Sequence, residues 1–160
     1  CCLNYSIKSK EHLNWLHEHH IELDLSWTKV AIDDHFKNKR ALNIFAIEKK
    51  TLGMILGHFL YEDQKSIEYE ILHLAVLNKH RGKGVGFLLL SELEKQLRSV
   101  KNSVKIYLEV SAENKFAIKL YEKLGYKAYN ERKNYYRSKS INAPHTQDAI
   151  LFAKSLNVIK

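Results

Sequence analysis

Residues 71–97 read ILHLAVLNKHRGKGVGFLLLSELEKQL. The stretch opens on an almost continuous apolar run, Ile71-Leu72-His73-Leu74-Ala75-Val76. Such a run marks a strand buried on both faces. It closes on a helix from Val85 to Leu97, where Leu88, Leu89, Leu93 and Leu97 recur near helical spacing. Between them stands Arg81-Gly82-Lys83-Gly84-Val85-Gly86. A second apolar strand follows at Val104 to Val110. Strand, glycine turn, helix and strand make a crossover unit, which implies a right-handed connection and a locally parallel pair.

Moving upstream, Leu3 to Lys8 reads as a short strand, and Ser9 as the N-cap of a helix over Lys10 to His20. Ser26 is expected to cap a second helix from Trp27 to Asn38. Strands follow at Leu42 to Glu48 and Thr51 to Tyr61, joined by a hairpin turn at Lys49-Lys50. The strand of the opening motif begins at Ile67. Downstream, Asn114 to Leu124 is a short helix closed by Gly125. Tyr126 to Asn130 and Asp148 to Lys154 are the last strands, separated by a loop over 138–147 that holds the only proline, Pro144. The order β-α-α-β-β-β-α-β-α-β-β predicts an α/β (α+β) fold: a mixed, mostly antiparallel sheet with helices on its faces.

The glycine turn carries the first chemical signal. Glycines let a backbone approach a ligand closely, and the first turn of a helix leaves amide N–H groups without partners. Those donors and the positive end of the helix dipole suit a pyrophosphate. Arg81 and Lys83 add charge. The dinucleotide fingerprint fails, because its third glycine falls on Phe87. The Walker pattern is absent.

What remains, R-G-x-G-x-G after a strand, resembles the acetyl-CoA loop of the GNAT superfamily of N-acetyltransferases. The likeness extends to Leu74-Ala75-Val76, to Leu108-Glu109-Val110 with Asn114, and to Ala117-Ile118 with Leu120-Tyr121-Glu122 and Leu124-Gly125-Tyr126. Arg132-Lys133-Asn134-Tyr135-Tyr136 and Asp148-Ala149-Ile150 look like segments of its RimI-type branch, the bacterial ribosomal-protein-alanine N-acetyltransferases. The resemblance runs from Ile67 to Ala153 and is thinner over residues 1–66, where it rests on element order and Trp27. It implies a sheet that splays open between its fourth and fifth strands. It implies acetyl-CoA as co-substrate and a protein N-terminal amine as acceptor, typically on a small-subunit ribosomal protein. It places Leu74, Ala75, Val76, Gly82, Lys83, Gly84, Val85, Gly86, Phe87 and Asn114 against acetyl-CoA, with Glu109 as general base and Tyr121 as general acid. His73 stands where the family often has a smaller polar residue.

The residues support that chemistry in their own right. An α-amino group, with a pKa of about 8, is easier to deprotonate near neutrality than a lysine at about 10.4. Glu109 interrupts the apolar strand Ile106-Tyr107-Leu108-Glu109-Val110, an expensive place for a carboxylate unless it is paired or used. Tyr121 is a proton donor at any physiological pH, and a core tyrosine is its other reading, because Phe116, Ala117, Leu120 and Leu124 form an apolar stripe. A backbone N–H near Val76 could polarise the carbonyl if the sheet opens there. Asn114 is a helix cap that could also reach the cofactor. Glu68 or Glu70 could share the base role, and Asn134, Tyr135 and Tyr136 could line the acceptor groove or form an aromatic hairpin on the sheet. His12, His17, His19 and His20 offer no clean i, i+4 pair, so no metal is expected, and they read as a solvated or acceptor-binding face.

Composition bounds the rest. The 160 residues carry 26 basic and 18 acidic side chains, a net charge of +8, with 45% hydrophobic residues. One globular domain over 1–160 is expected, with no disorder and no membrane span. The basic residues are spread along the chain in short clusters such as Lys37-Asn38-Lys39-Arg40, so an acidic ligand or acidic assembly is a more economical partner than nucleic acid. Cys1 and Cys2 are adjacent and build no disulfide framework, and the first twenty residues carry no secretory signal, so a reduced, cytoplasmic setting is expected. No dense acidic cluster is visible in the sequence. That ranks a GNAT enzyme for polyamines or aminoglycosides second, and a non-catalytic acyl-CoA-binding module on the same scaffold third.

Overall fold

A computed structural model describes residues 4–6, 10–137 and 146–157. The Ser9 cap, both cysteines and most of the 138–147 loop lie outside the described residues. The elements run β1 (Asn4–Ser6), α1 (Lys10–His19), α2 (Lys29–Lys37), β2 (Ala41–Ile47), β3 (Thr51–Glu62) and β4 (Ser66–Val76). They continue through a 3-10 turn (Asn78–His80) to α3 (Val85–Val100), β5 (Ser103–Ser111), α4 (Lys115–Lys123), β6 (Lys127–Arg137) and β7 (Thr146–Asn157). The seven strands form one sheet in the order β1-β2-β3-β4-β5-β7-β6. Only β4 and β5 pair parallel; the other described pairings are antiparallel.

Several boundaries differ from the sequence expectation: α3 runs on to Val100, and β7 spans Thr146–Asn157, so residues 146 and 147 of the expected loop are strand. The cap of α2 is Thr28, whose hydroxyl accepts from the Ala31 N–H at 3.1 Å, and not Ser26. Trp27 therefore precedes the helix. β6 runs on to Arg137, well past the expected Asn130. It is an edge strand exposed along most of its length, so it lacks the apolar alternation that marks a strand in sequence.

The sheet separates two cores. On one face α3 and α4 cover Ile67, Tyr69, Ile71, Val104, Ile106, Leu108 and Val110, with Leu89, Leu93 and Leu97 of α3 fully buried against them. On the other, α1 and α2 bury Leu16 and Ile32 against Phe45, Met54 and Leu56. β4 changes phase between these cores. The pairing with β3 shifts between Leu56 and Gly57, which leaves Leu72 as an extra residue. Before it, Ile67, Tyr69 and Ile71 face α3; after it, Leu74 and Val76 do, while Ala75 turns to the other core.

The same strand opens the sheet. Pairing of β4 with β5 runs from Ser66↔Ser103 to Ile71↔Leu108 and stops there, although β4 continues to Val76 and β5 to Ser111. The expected splay between the fourth and fifth strands is thus present.

Candidate active site

The glycine turn borders this opening. Gly82 and Gly84 have φ of +71° and +83°, the left-handed region that side chains resist. A Cβ at either position would meet open space, so their role is backbone shape on a face left clear. Gly84 is the N-cap of α3, and its carbonyl accepts the first intrahelical bond from Leu88 at 3.1 Å. The N–H groups of Val85, Gly86 and Phe87 therefore stand in the first turn of a 16-residue helix, without intrahelical partners.

Gly86 differs. A Cβ there would press on Leu120 Cδ2 at 3.1 Å, so this glycine lets α3 approach α4. The structure thus gives Gly86 a packing role. Arg81 has a further contact: its Nε donates to the Val76 carbonyl at 3.0 Å, tying the turn to the end of β4. Lys83 is exposed on the turn, and the half-exposed Phe87 lies under Lys123 at 5.7 Å.

Backbone groups at the end of β4 face the opening. Leu77 N–H donates to Leu52 O at 2.9 Å, so strand alternation aims the main-chain groups of Val76 and Leu74 away from β3, toward the gap. Asn114 caps α4 as expected, its Oδ1 accepting from Ala117 N–H at 3.2 Å.

Glu109 and Tyr121 take opposite sides of the sheet. Strand alternation puts Val110 in the core under α3 and α4 and Glu109 on the other face. There it lines a groove of about 220 Å³ with Leu60, Glu68, Glu70, Tyr107, Tyr129 and Arg132. Arg132 Nη1 stands 3.1 Å from Glu109 Oε1, and its guanidinium lies over the Tyr135 ring at 5.2 Å. The expense of a carboxylate in this strand is thus met by a pairing and by partial exposure. Tyr121 is buried against Tyr126 and Phe152, and burial, reinforced by Tyr136, pushes its hydroxyl pKa up. It is therefore a protonated donor throughout the physiological range. Tyr136 is half-buried, its ring edge-on to Tyr135 at 5.1 Å, and burial, reinforced by Glu109 and Tyr135, raises its hydroxyl pKa.

Two expectations need correction, and for Asn134 the hairpin alternative gains contacts. Glu68, Glu70 and Glu109 gather in one groove, an acidic cluster the sequence hides because strand pairing assembles it. Asn134 shapes a hairpin: it adopts φ of +54°, its N–H donates to Asp148 at 2.8 Å, and its side chain accepts from Thr146 at 2.6 Å. The histidines of α1 are not a solvated face. His12 is buried, stacked on Phe45 at 4.2 Å, and burial lowers its pKa. His17 reaches Asp33 of α2 at 2.8 Å. Among the described residues no group of three side chains could hold a metal.

Arg132 as the partner of Glu109 was missed. Only the register of β6 on β7 signals it, and sequence does not display that register.

The chain matches the model of the Acetyltransferase (GNAT) family over residues 5–126. It belongs to that family. An N-alpha-acetyltransferase of Sulfurisphaera tokodaii is 39% identical over 66 residues, which span 41% of this chain and 40% of that protein. The ribosomal protein bS18-alanine N-acetyltransferase of Salmonella typhimurium is 34% identical over 91 residues, 57% of this chain and 58% of the relative. The match thus spans about half the length of these curated relatives. The crystal structure of the ribosomal-protein-S18-alanine N-acetyltransferase from Escherichia coli superposes with a TM-score of 0.81 at 25% identity, covering 99% of this chain and 97% of that one. Among the described residues no helix is long and apolar enough to cross a membrane.

Proposed function

We propose that the chain is an acetyl-CoA-dependent N-acetyltransferase that modifies the N-terminal α-amine of a protein by direct transfer. The observation that carries this reading is the gap between β4 and β5, with an anion-binding glycine turn on one side and the Glu109 groove on the other. Acetyl-CoA would lie along Leu74, Ala75 and Val76, with its pyrophosphate on the N–H groups of the turn from Gly82 to Phe87 and near Lys83. Asn114 would flank it from α4. Arg81 would act by fixing the turn to Val76.

The acceptor amine would enter from the groove. Glu109 takes its proton, directly or through one water. The amine nitrogen bonds to the acetyl carbon, and the Val76 N–H lies where it can stabilise the developing oxyanion. The C–S bond breaks, and Tyr121 gives its proton to the leaving thiolate. The two groups need no contact with each other, because they serve opposite ends of the reaction. In this reading the 1–160 segment is one catalytic domain, set in the cytoplasm, and its net charge of +8 fits both an anionic co-substrate and a ribosome-associated target.

The acidic groove favours a second reading, acetylation of a small polycationic amine. Mass spectrometry separates the two. The protein is incubated with acetyl-CoA and N-terminal peptides of small-subunit ribosomal proteins, lysine peptides with blocked N-termini, and polyamines. A single acetyl group on the N-terminal peptides alone is the expected outcome. Acetylation of polyamines alone would move the protein to the second reading. Acetyl-CoA binding with no acetylation of any of them would leave a non-catalytic binding module.

A further inference from the structure

We infer that Arg132 is the residue by which the acceptor groove distinguishes a peptide amino terminus from a simple amine. It would do so by donating to the carbonyl of the first peptide bond. This rests on the acceptor reading above and deepens it.

In a peptide N-terminus the amine is followed by Cα and a carbonyl. Bond lengths of about 1.46, 1.52 and 1.23 Å keep that oxygen within roughly 4 Å of the nitrogen. An amine seated at Glu109 therefore brings its carbonyl close to whatever stands about 3 Å from that carboxylate. In this groove the neighbour is Arg132, 3.1 Å from Glu109. A guanidinium carries five N–H donors in a rigid fork, so one contact with Glu109 does not exhaust it.

The side chain is also held ready. Glu109 fixes it at one side and the Tyr135 ring lies against it at 5.2 Å. Arg132 opens the irregular segment of β6, where pairing with β7 is interrupted between Arg132 and Tyr136. Asn134, with φ of +54° and its N–H on Asp148, holds that irregularity. Bulges recur next to active sites because they re-aim side chains. The cation works against the rival acceptor as well. A polyamine would place positive charge beside Arg132, whereas a peptide offers it a carbonyl oxygen.

The test uses an alanine-initiated peptide and the same peptide with an (E)-alkene in place of the first peptide bond. The isostere keeps amine and shape and removes the carbonyl. kcat/KM is measured for both acceptors with the wild-type protein, Arg132→Gln and Arg132→Lys. The wild type should prefer the natural peptide at least about tenfold, the worth of one hydrogen bond to a charged group. Arg132→Gln should cut that ratio by about tenfold, leaving only what the more basic amine of the isostere causes, and Arg132→Lys, which keeps charge without the fork, should fall between. A purely structural role for Arg132 would lower both acceptors alike and leave the ratio standing, and that result would overturn the inference. Failure of the wild type to acetylate either acceptor, with acetyl-CoA bound, would remove the acceptor reading itself and this inference with it.

Discussion

The two sides of the β4–β5 gap are built from different material. The proposed cofactor side is backbone: two left-handed glycines, the first turn of α3 and the end of β4, between Leu74 and Phe87. The proposed acceptor side is side chains, Glu68 and Glu70 from β4, Glu109 from β5, and Tyr129 and Arg132 from β6. A backbone site can keep its ligand while the residues around it change. A side-chain site changes specificity with each substitution. The difference implies that mutations on one side should move cofactor affinity and those on the other should move turnover or acceptor choice.

The largest expected effect is on the cofactor side. Gly84→Val forces a β-branched residue to φ of +83° and distorts the N–H cradle. Strain and lost hydrogen bonds together are worth about 4 kcal/mol, close to 10³ in affinity. Calorimetry with acetyl-CoA should show binding nearly lost while thermal unfolding of the fold persists. Unimpaired binding would break the comparison.

Tyr121→Phe comes next. It removes a proton donor and little volume, so kcat should fall by about 10² with acetyl-CoA affinity near wild type. An equal loss of affinity would place Tyr121 with the structural core only.

A third change touches the scaffold shared by both sides. A Cβ on Gly57 would collide with the Tyr69 hydroxyl, which donates to the Leu42 carbonyl at 2.6 Å beside the β4 bulge. Gly57→Ala should cost about 1–3 kcal/mol in chemical denaturation, and both cofactor affinity and turnover should suffer together.

The smallest effect is on pH. Burial lowers the pKa of His73 to about 4, with His35 acting in the same direction and Asp24 against it. The unfolded chain binds a proton at this residue from pH 6.5 downward, whereas the folded chain does so only near 4. Stability should therefore decline as pH falls across that window. His73→Gln should flatten the decline in melting temperature between pH 6.5 and 4.

The contrast also explains what the sequence displayed. The element order and the glycine turn were legible because their signals are local: apolar periodicity along one segment, and glycines where φ must be positive. The caps of α4 and the splay expected from the family likeness also stand in the structure. The Leu72 bulge was not legible, because Ile71 to Val76 is apolar on both phases and hides the shift. The acidic groove and the Glu109–Arg132 pair depend on which strands lie side by side, so residues 68, 70, 109 and 132 look unrelated in sequence. The α1 histidines misled for a similar reason, since the surface that buries His12 comes from Phe45 of β2. Glu109 itself was visible as a carboxylate in an apolar strand, although its partner was not.

The most direct test is Glu109→Gln, measured for acetyl-CoA affinity and for kcat on an N-terminal peptide in parallel. A loss of about 10³ in kcat with cofactor affinity unchanged is expected, because the carboxylate lies on the proposed acceptor side of the gap. Unchanged turnover, or a loss of acetyl-CoA binding as large as that of Gly84→Val, would contradict the proposed role of Glu109.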